Sequence, residues 1–183
     1  MSHASASAPD AGRSRSLRGE LERLDLGLLR ATRGLADEPV RDQAIAAFSG
    51  LGQYAAIWLA IGSAASLVAA PEQRPRWRTA TAVVAGGYLL NTAIKLAVRR
   101  RRPELADLPP LTRTPTRLSF PSAHATTSFA AATAFSRAGG PAAPLYGLAT
   151  ALAVSRLYLG VHYPSDVVAG ALLGTALGAL APL

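Results

Sequence analysis

The stretch Thr79–Val98, TATAVVAGGYLLNTAIKLAV, is twenty residues with a single charge, Lys95. At about 1.5 Å of rise per residue it can cross a hydrocarbon layer of about 30 Å as one helix. Upstream, Ala44–Ala70 contains no charge at all and reads as a second span of the same kind. Between them Pro71-Glu-Gln-Arg-Pro-Arg-Trp-Arg78 makes a short polar connection, with Trp77 suited to a membrane interface.

Downstream the run meets Arg99-Arg-Arg-Arg-Pro103, and the proline predicts that the helix ends near Arg102. If the helix persists that far, Lys95 and Arg102 face the same side, two turns and about 10 Å apart. Residues 104–120, with Pro109, Pro110 and Pro115, read as a loop. Three further apolar runs follow at 122–136, 142–158 and 166–183; they are short or rich in Ala and Gly, and read as the interior of a bundle. Gly170, Gly174 and Gly178, four apart, predict a ridge for close helix contact. The fold class is therefore all-α: an integral membrane bundle of about five transmembrane helices.

The N-terminal quarter differs. Residues 1–14 are small and polar and read as a disordered tail. Over 15–38, Leu17, Leu21, Leu24, Leu28 and Leu35 recur at helical spacing with charges on the other faces. That predicts an amphipathic helix lying in the membrane interface or against the bundle. Residues 39–183 form the membrane-embedded domain.

The net charge is +8, but the arginines stand at the ends of apolar runs with no aromatic platform beside them. This favours membrane lipids over nucleic acid as partner. With no cysteine, disulfides are excluded. The arginines of 13–41 and 99–117 fall on one face of a five-span bundle, against Arg74, Arg76, Arg78 and Arg137 on the other. The positive-inside tendency then turns the loop after residue 98 toward the cytoplasm of the cell (inner) membrane.

After Arg117 the only charges are Arg137, Arg156 and Asp166, and the last two flank His162. Charges in an apolar tail are costly unless paired or aimed at a ligand. Lys95, the sole lysine, is in the same position: it either snorkels to the interface or serves a site. Arg99, Arg100 and Arg101 read as ordinary juxtamembrane charge. Ser122 is placed to cap a new helix or, with its backbone, to bind an anion beside His124. Asp166, four residues after His162, can orient the imidazole or merely cap a helix. His124, His162 and Asp166 could supply metal ligands, but Lys95, Arg102 and Arg156 would repel a dication and suit a phosphate dianion.

Lys95-(six residues)-Arg102-Pro103, Pro121-Ser122-Ala123-His124, and Ser155-Arg156-(five residues)-His162-(three residues)-Asp166 together resemble the three-part signature of the type 2 phosphatidic acid phosphatase superfamily. One departure is Ala123, where that family usually has Gly. The resemblance implies catalysis without metal or other cofactor. His162 would attack phosphorus, Asp166 would orient it, and His124 would trade protons. Lys95, Arg102, Ser122, Ala123 and Arg156 would bind the phosphate oxygens.

Thr114–Thr126 is further similar to the branch that dephosphorylates decaprenylphosphoryl-5-phosphoribose in cell-wall arabinan synthesis. The substrate expected is thus a lipid phosphate, first a polyprenyl-linked sugar phosphate, second a polyprenyl diphosphate or phosphatidic acid. The rival of another class is a non-catalytic membrane protein binding anionic lipid, which would have no use for two histidines.

Overall fold

The computed structural model describes residues 10–36 and 38–183. Among the described residues seven α-helices follow in order: α1 (Asp10–Arg33), α2 (Pro39–Gly50), α3 (Ala56–Val68), α4 (Arg74–Val98), α5 (Ala123–Arg137), α6 (Ala142–Tyr158) and α7 (Pro164–Leu180). Among the described residues there is no strand beyond an isolated antiparallel bridge between Arg101 and Leu118. The all-helical expectation therefore holds.

The centre of the bundle is α5, which packs against α4, α6 and α7. Its sequence, AHATTSFAAATAFSR, is made mostly of small residues because neighbours press on it from nearly every side, and eleven of its side chains are buried. The glycine ridge of α7 lies directly on α5. A Cβ at Gly174 would meet the Thr126 carbonyl at 2.2 Å, and one at Gly170 would meet the Ser122 carbonyl at 2.7 Å. Only glycine lets the two backbones approach so closely. Arg137, at the last turn of α5, donates to the carbonyls of Gly178 and Ala181, both at 2.8 Å, and satisfies the orphan end of α7.

Two expectations change. The apolar stretch 44–70 is not one straight span: it breaks after Gly50 into α2 and α3, bent by 47° across a short 3-10 turn at Gln53–Ala55. Tyr54 and Ala55 both sit in the left-handed region, with φ of 54° and 61°. Two consecutive non-glycine residues there cost about 1–2 kcal/mol each. Second, α4 stops at Val98, with Arg99 left-handed at φ 56°, so Arg102 does not ride on the same helix face as Lys95. The chain after α4 turns instead and pairs with residues 117–119.

By length and composition α4 alone could cross a membrane unaided, and the bent pair α2–α3 passes the same test together. Helix α1 takes in residues 10–14, which the sequence assigned to the tail, while residues 1–9 lie outside the described part. On α1, Asp25, Leu29 and Arg33 turn inward and are buried, and the helix packs on α6 and α7. Its Leu21, Leu24 and Leu28 are each more than half exposed.

Candidate active site

One cavity, with about 100 Å³ of interior space, opens where the C-terminal end of α4, the start of α5, the α2–α3 break and the α6–α7 connection meet. It is lined by Lys95, Arg102, Ala123, His124, Arg156 and His162, among others. Three motifs far apart in the chain thus converge on one wall. Three cations and no carboxylate line the space, so it is built for an anion.

Lys95 does not snorkel. It is 8% exposed, and its Nζ donates to the carbonyls of Ser119 and Pro121, both at 3.0 Å, and of Leu118 at 3.3 Å. Those carbonyls fix the ammonium at the cavity wall. Arg102 reaches the same cavity by the turn after α4, held through its Nε on the Thr116 carbonyl at 2.9 Å and its Nη1 on the Val161 carbonyl at 2.6 Å. Burial lowers its pKa to about 10, still far above neutrality, so it remains a cation.

Nη1 of Arg102 also stands 2.9 Å from Nε2 of His162. A guanidinium can only donate, so Nε2 is the acceptor and the imidazole proton is on Nδ1. Burial, then the positive fields of Arg102, Arg156 and Lys95, hold the pKa of His162 well below its ordinary value. The ring is neutral, with a lone pair turned toward the cavity cations.

Behind His162, Asp166 is fully buried and outside the cavity lining. Its Oδ2 accepts from the Tyr163 backbone N–H at 2.9 Å, capping α7, and lies 3.5 Å from His162 Nδ1. Of the two roles that the sequence left as alternatives for Asp166, the carboxylate makes the capping bond and stands close to the imidazole. That long contact makes no hydrogen bond, and Nδ1 is buried without a partner.

His124 sits in the first turn of α5 with Nε2 2.9 Å from the Ser49 carbonyl. A carbonyl can only accept, so Nε2 carries a proton in this state. Ser49 is also the partner of Arg156: its Oγ lies 2.7 Å from Arg156 Nη1 and 2.9 Å from Ser155 Oγ. Arg156 Nε is buried without a partner.

Ser122 takes the first of its two readings: its Oγ accepts from the Ala125 N–H at 3.5 Å as the cap of α5, its N–H donates to the Asp166 carbonyl, and it is not among the residues lining the cavity. Ala123, where the family pattern has Gly, does line it, at a normal helical start.

The sequence reading missed four residues. Ser49 and Gly52 come from the α2–α3 break; a Cβ on Gly52 would fall 2.7 Å from His124 Cδ2. The signal available was a serine followed by two glycines, Ser49-Gly50-Leu51-Gly52, in an otherwise apolar run. Arg100, taken as juxtamembrane charge, instead bridges two carboxylates: Nη1 to Asp166 Oδ1 at 2.9 Å and Nη2 to Asp25 Oδ2 at 2.7 Å. Nothing in the local sequence marks it among four arginines. Asp25 shows only as a charge on the line of Leu29 and Arg33, four apart.

A bundle whose anion cavity presents two histidines and three cations is the architecture of a phosphatase. The chain belongs to the PAP2 superfamily, whose family model matches residues 76–183, and it is a phosphoric monoester hydrolase. More particularly, it is 43% identical over 149 residues to the decaprenylphosphoryl-5-phosphoribose phosphatase of Mycolicibacterium smegmatis, covering 80% of each chain. It is 38% identical over 146 residues to the enzyme of that name from Mycobacterium tuberculosis, covering 80% of this chain and 81% of the relative.

Among solved structures, Aquifex aeolicus LpxE superposes with a TM-score of 0.73 at 26% identity, covering 86% of this chain and 93% of that one. The PAP2-type phosphatidylglycerolphosphate phosphatase of Bacillus subtilis gives 0.72 at 22% identity, with 88% and 84% covered, and attests the fold. The Bacillus subtilis protein is named as transmembrane, and in this chain α4 is long and apolar enough to cross a membrane.

Proposed function

We propose that this protein hydrolyses a lipid-linked phosphomonoester through a phosphohistidine on His162, and that its substrate is a polyprenyl-phosphoryl sugar phosphate such as decaprenylphosphoryl-5-phosphoribose. The observation that carries the reading is the lone pair of a neutral His162 Nε2 standing inside a cavity walled by Lys95, Arg102 and Arg156. The 43% identity to a phosphatase named for that substrate, over four fifths of both chains, supports the head group.

The chemistry follows in two displacements. The Nε2 lone pair of His162 forms a bond to phosphorus while the ester P–O bond breaks, and His124 passes a proton to the departing oxygen. His124 then takes a proton from a water that attacks phosphorus; the N–P bond breaks, inorganic phosphate leaves, and His162 is restored. Lys95, Arg102 and Arg156 carry the charge on the non-bridging oxygens throughout, with Ser122 and Ala123 supporting that wall through the start of α5. Asp166 fixes the ring of His162 and balances the imidazolium character it gains.

Residues 39–183 constitute the membrane-embedded catalytic domain, crossing the cell (inner) membrane five times, with α2 and α3 forming one bent crossing. The exposed leucines of α1 rest on the lipid interface beside it. The arginine distribution turns the cavity mouth toward the cytoplasm.

Phosphate release in detergent from decaprenylphosphoryl-5-phosphoribose, a polyprenyl diphosphate and phosphatidic acid, each with wild type and His162→Ala, tests the proposal. The sugar phosphate should be the best substrate and the variant should be inactive on all three. Equal release by both proteins would overturn the nucleophile; preference for the diphosphate would overturn the substrate. Labelling of a single cysteine placed in the 104–120 loop, from outside intact cells, would reverse the sidedness.

A further inference from the structure

Helix α1 lies outside the motifs, yet one of its side chains ends a chain of charges that leads to His162. Asp25 is 5% exposed. Its Oδ1 accepts from the Ser165 backbone N–H at 2.9 Å, and its Oδ2 accepts from Arg100 Nη2 at 2.7 Å and from the Ser165 hydroxyl. The other arm of Arg100 donates to Asp166 Oδ1 at 2.9 Å and to Ser165 Oγ at 2.7 Å. The guanidinium is covered by the Tyr163 ring, 4.0 Å from its centroid.

Burial works against the charge of Asp25, but the hydrogen bonds from Arg100 and Ser165 outweigh it and hold its carboxyl below the ordinary carboxylate range. Burial likewise disfavours the cation at Arg100, and its two carboxylate partners more than restore it. A planar guanidinium has a fork that can hold both at once.

We infer that Asp25 of α1 is a positioning residue for the reaction: through Arg100 and Ser165 it fixes the carboxylate of Asp166, and so the ring of His162. The inference rests on His162 being the nucleophile and Asp166 its orienting group. Asp166 Oδ2 stands 3.5 Å from Nδ1, and a shift of about half an ångström decides whether that contact is a hydrogen bond. A carboxylate tied on its other oxygen to a braced arginine is held at that threshold. If α1 withdraws, Arg100 loses one of its two anchors and Asp166 gains freedom to turn away.

The test uses the full chain in detergent with a lipid phosphomonoester, comparing wild type, Asp25→Asn, Asp25→Glu, Arg100→Lys and Asp25→Asn in an Asp166→Asn background. The expected result is a kcat about tenfold lower for Asp25→Asn with KM changed by less than about twofold, since small misplacements of a reacting group cost rate rather than binding. Asp25→Glu should recover most of the loss. Arg100→Lys keeps the charge beside Asp166 without the fork and should repeat the loss. In the Asp166→Asn background, Asp25→Asn should cost nothing further, because its route to His162 is already cut.

Equal fractional losses in both backgrounds would overturn the inference, as would an Asp25→Asn protein with wild-type kcat. If Asp25→Asn does not fold, Arg100→Lys decides alone: wild-type kcat overturns the inference. A wild type that releases no phosphate from any lipid monoester would overturn the reading of His162 and this inference with it. An active wild type with an indifferent Asp25 overturns only the latter.

Discussion

Arg102 donates to His162: the guanidinium Nη1 lies 2.9 Å from the imidazole Nε2 and occupies the lone pair with which that ring would attack phosphorus. The two groups are sixty positions apart in the chain, and the contact keeps the ring in one tautomer. When a phosphate enters, the same guanidinium must exchange that nitrogen for an anionic oxygen.

Arg102→Ala should therefore lower kcat/KM by about a hundredfold or more, the scale of losing one preorganised donor to a developing oxyanion. Arg102→Lys should recover only part, because an ammonium cannot span the Thr116 carbonyl, the Val161 carbonyl and the phosphate with a rigid fork. Steady-state kinetics on one lipid monoester, with both parameters resolved, makes the comparison.

Ser49→Ala should raise KM more than it lowers kcat. It removes the hydroxyl partner of Arg156 Nη1 and of Ser155 but leaves the backbone carbonyl on which His124 rests. A hydrogen bond that seats a charged group is worth about 1.5–3 kcal/mol, which in KM is roughly tenfold to 150-fold. A KM that stays at the wild-type value would exclude a role for Ser49 in seating Arg156.

Two glycine substitutions should separate activity from stability. Gly174→Ala drives a methyl into the Thr126 carbonyl, 2.2 Å away on the central helix, so α7 must lift and thermal unfolding should move down by the equivalent of about 1–3 kcal/mol. Gly52→Ala meets His124 Cδ2 at 2.7 Å, a side chain rather than a backbone, and should displace the imidazole with a smaller stability cost. Phosphate release and thermal melts on the same two preparations provide the readout.

The depressed pKa of His162 has a consequence for stability. An unfolded chain takes a proton on this histidine near pH 6.5, whereas the folded one stays neutral until well below it. The unfolded state then binds more protons, so stability falls as pH drops below about 6.5, by at most about 1.4 kcal/mol per pH unit from this group. His162→Gln should flatten the pH dependence of unfolding in that window; an unchanged slope would place the titration elsewhere.

The bundle was legible in sequence because its determinants are local and periodic. Uncharged runs mark the helices, prolines their ends, and glycines four apart the face that α7 presents to α5. The motifs of the candidate site were legible because their residue types are costly in apolar surroundings: Lys95, Arg156, His162 and Asp166 each stood out against alanine and leucine. What escaped was geometry that belongs to contacts between elements. Arg100 and Arg101 are chemically identical neighbours, and only the left-handed turn at Arg99 decides that Arg100 points to Asp25 and Asp166. Ser122 carried two readings, and its position under the α7 backbone assigned its hydroxyl to capping. The break in 44–70 was invisible to hydropathy, since a bend changes direction and not composition.

That break places Ser49 and Gly52 against Arg156 and His124, and the stretch matched by the family model begins only at residue 76. The portion of the polypeptide that bears the shared signature is thus finished by a leading portion that does not. Exchange of those first helices between relatives offers a route by which rate and preference can drift apart while every signature residue stays the same.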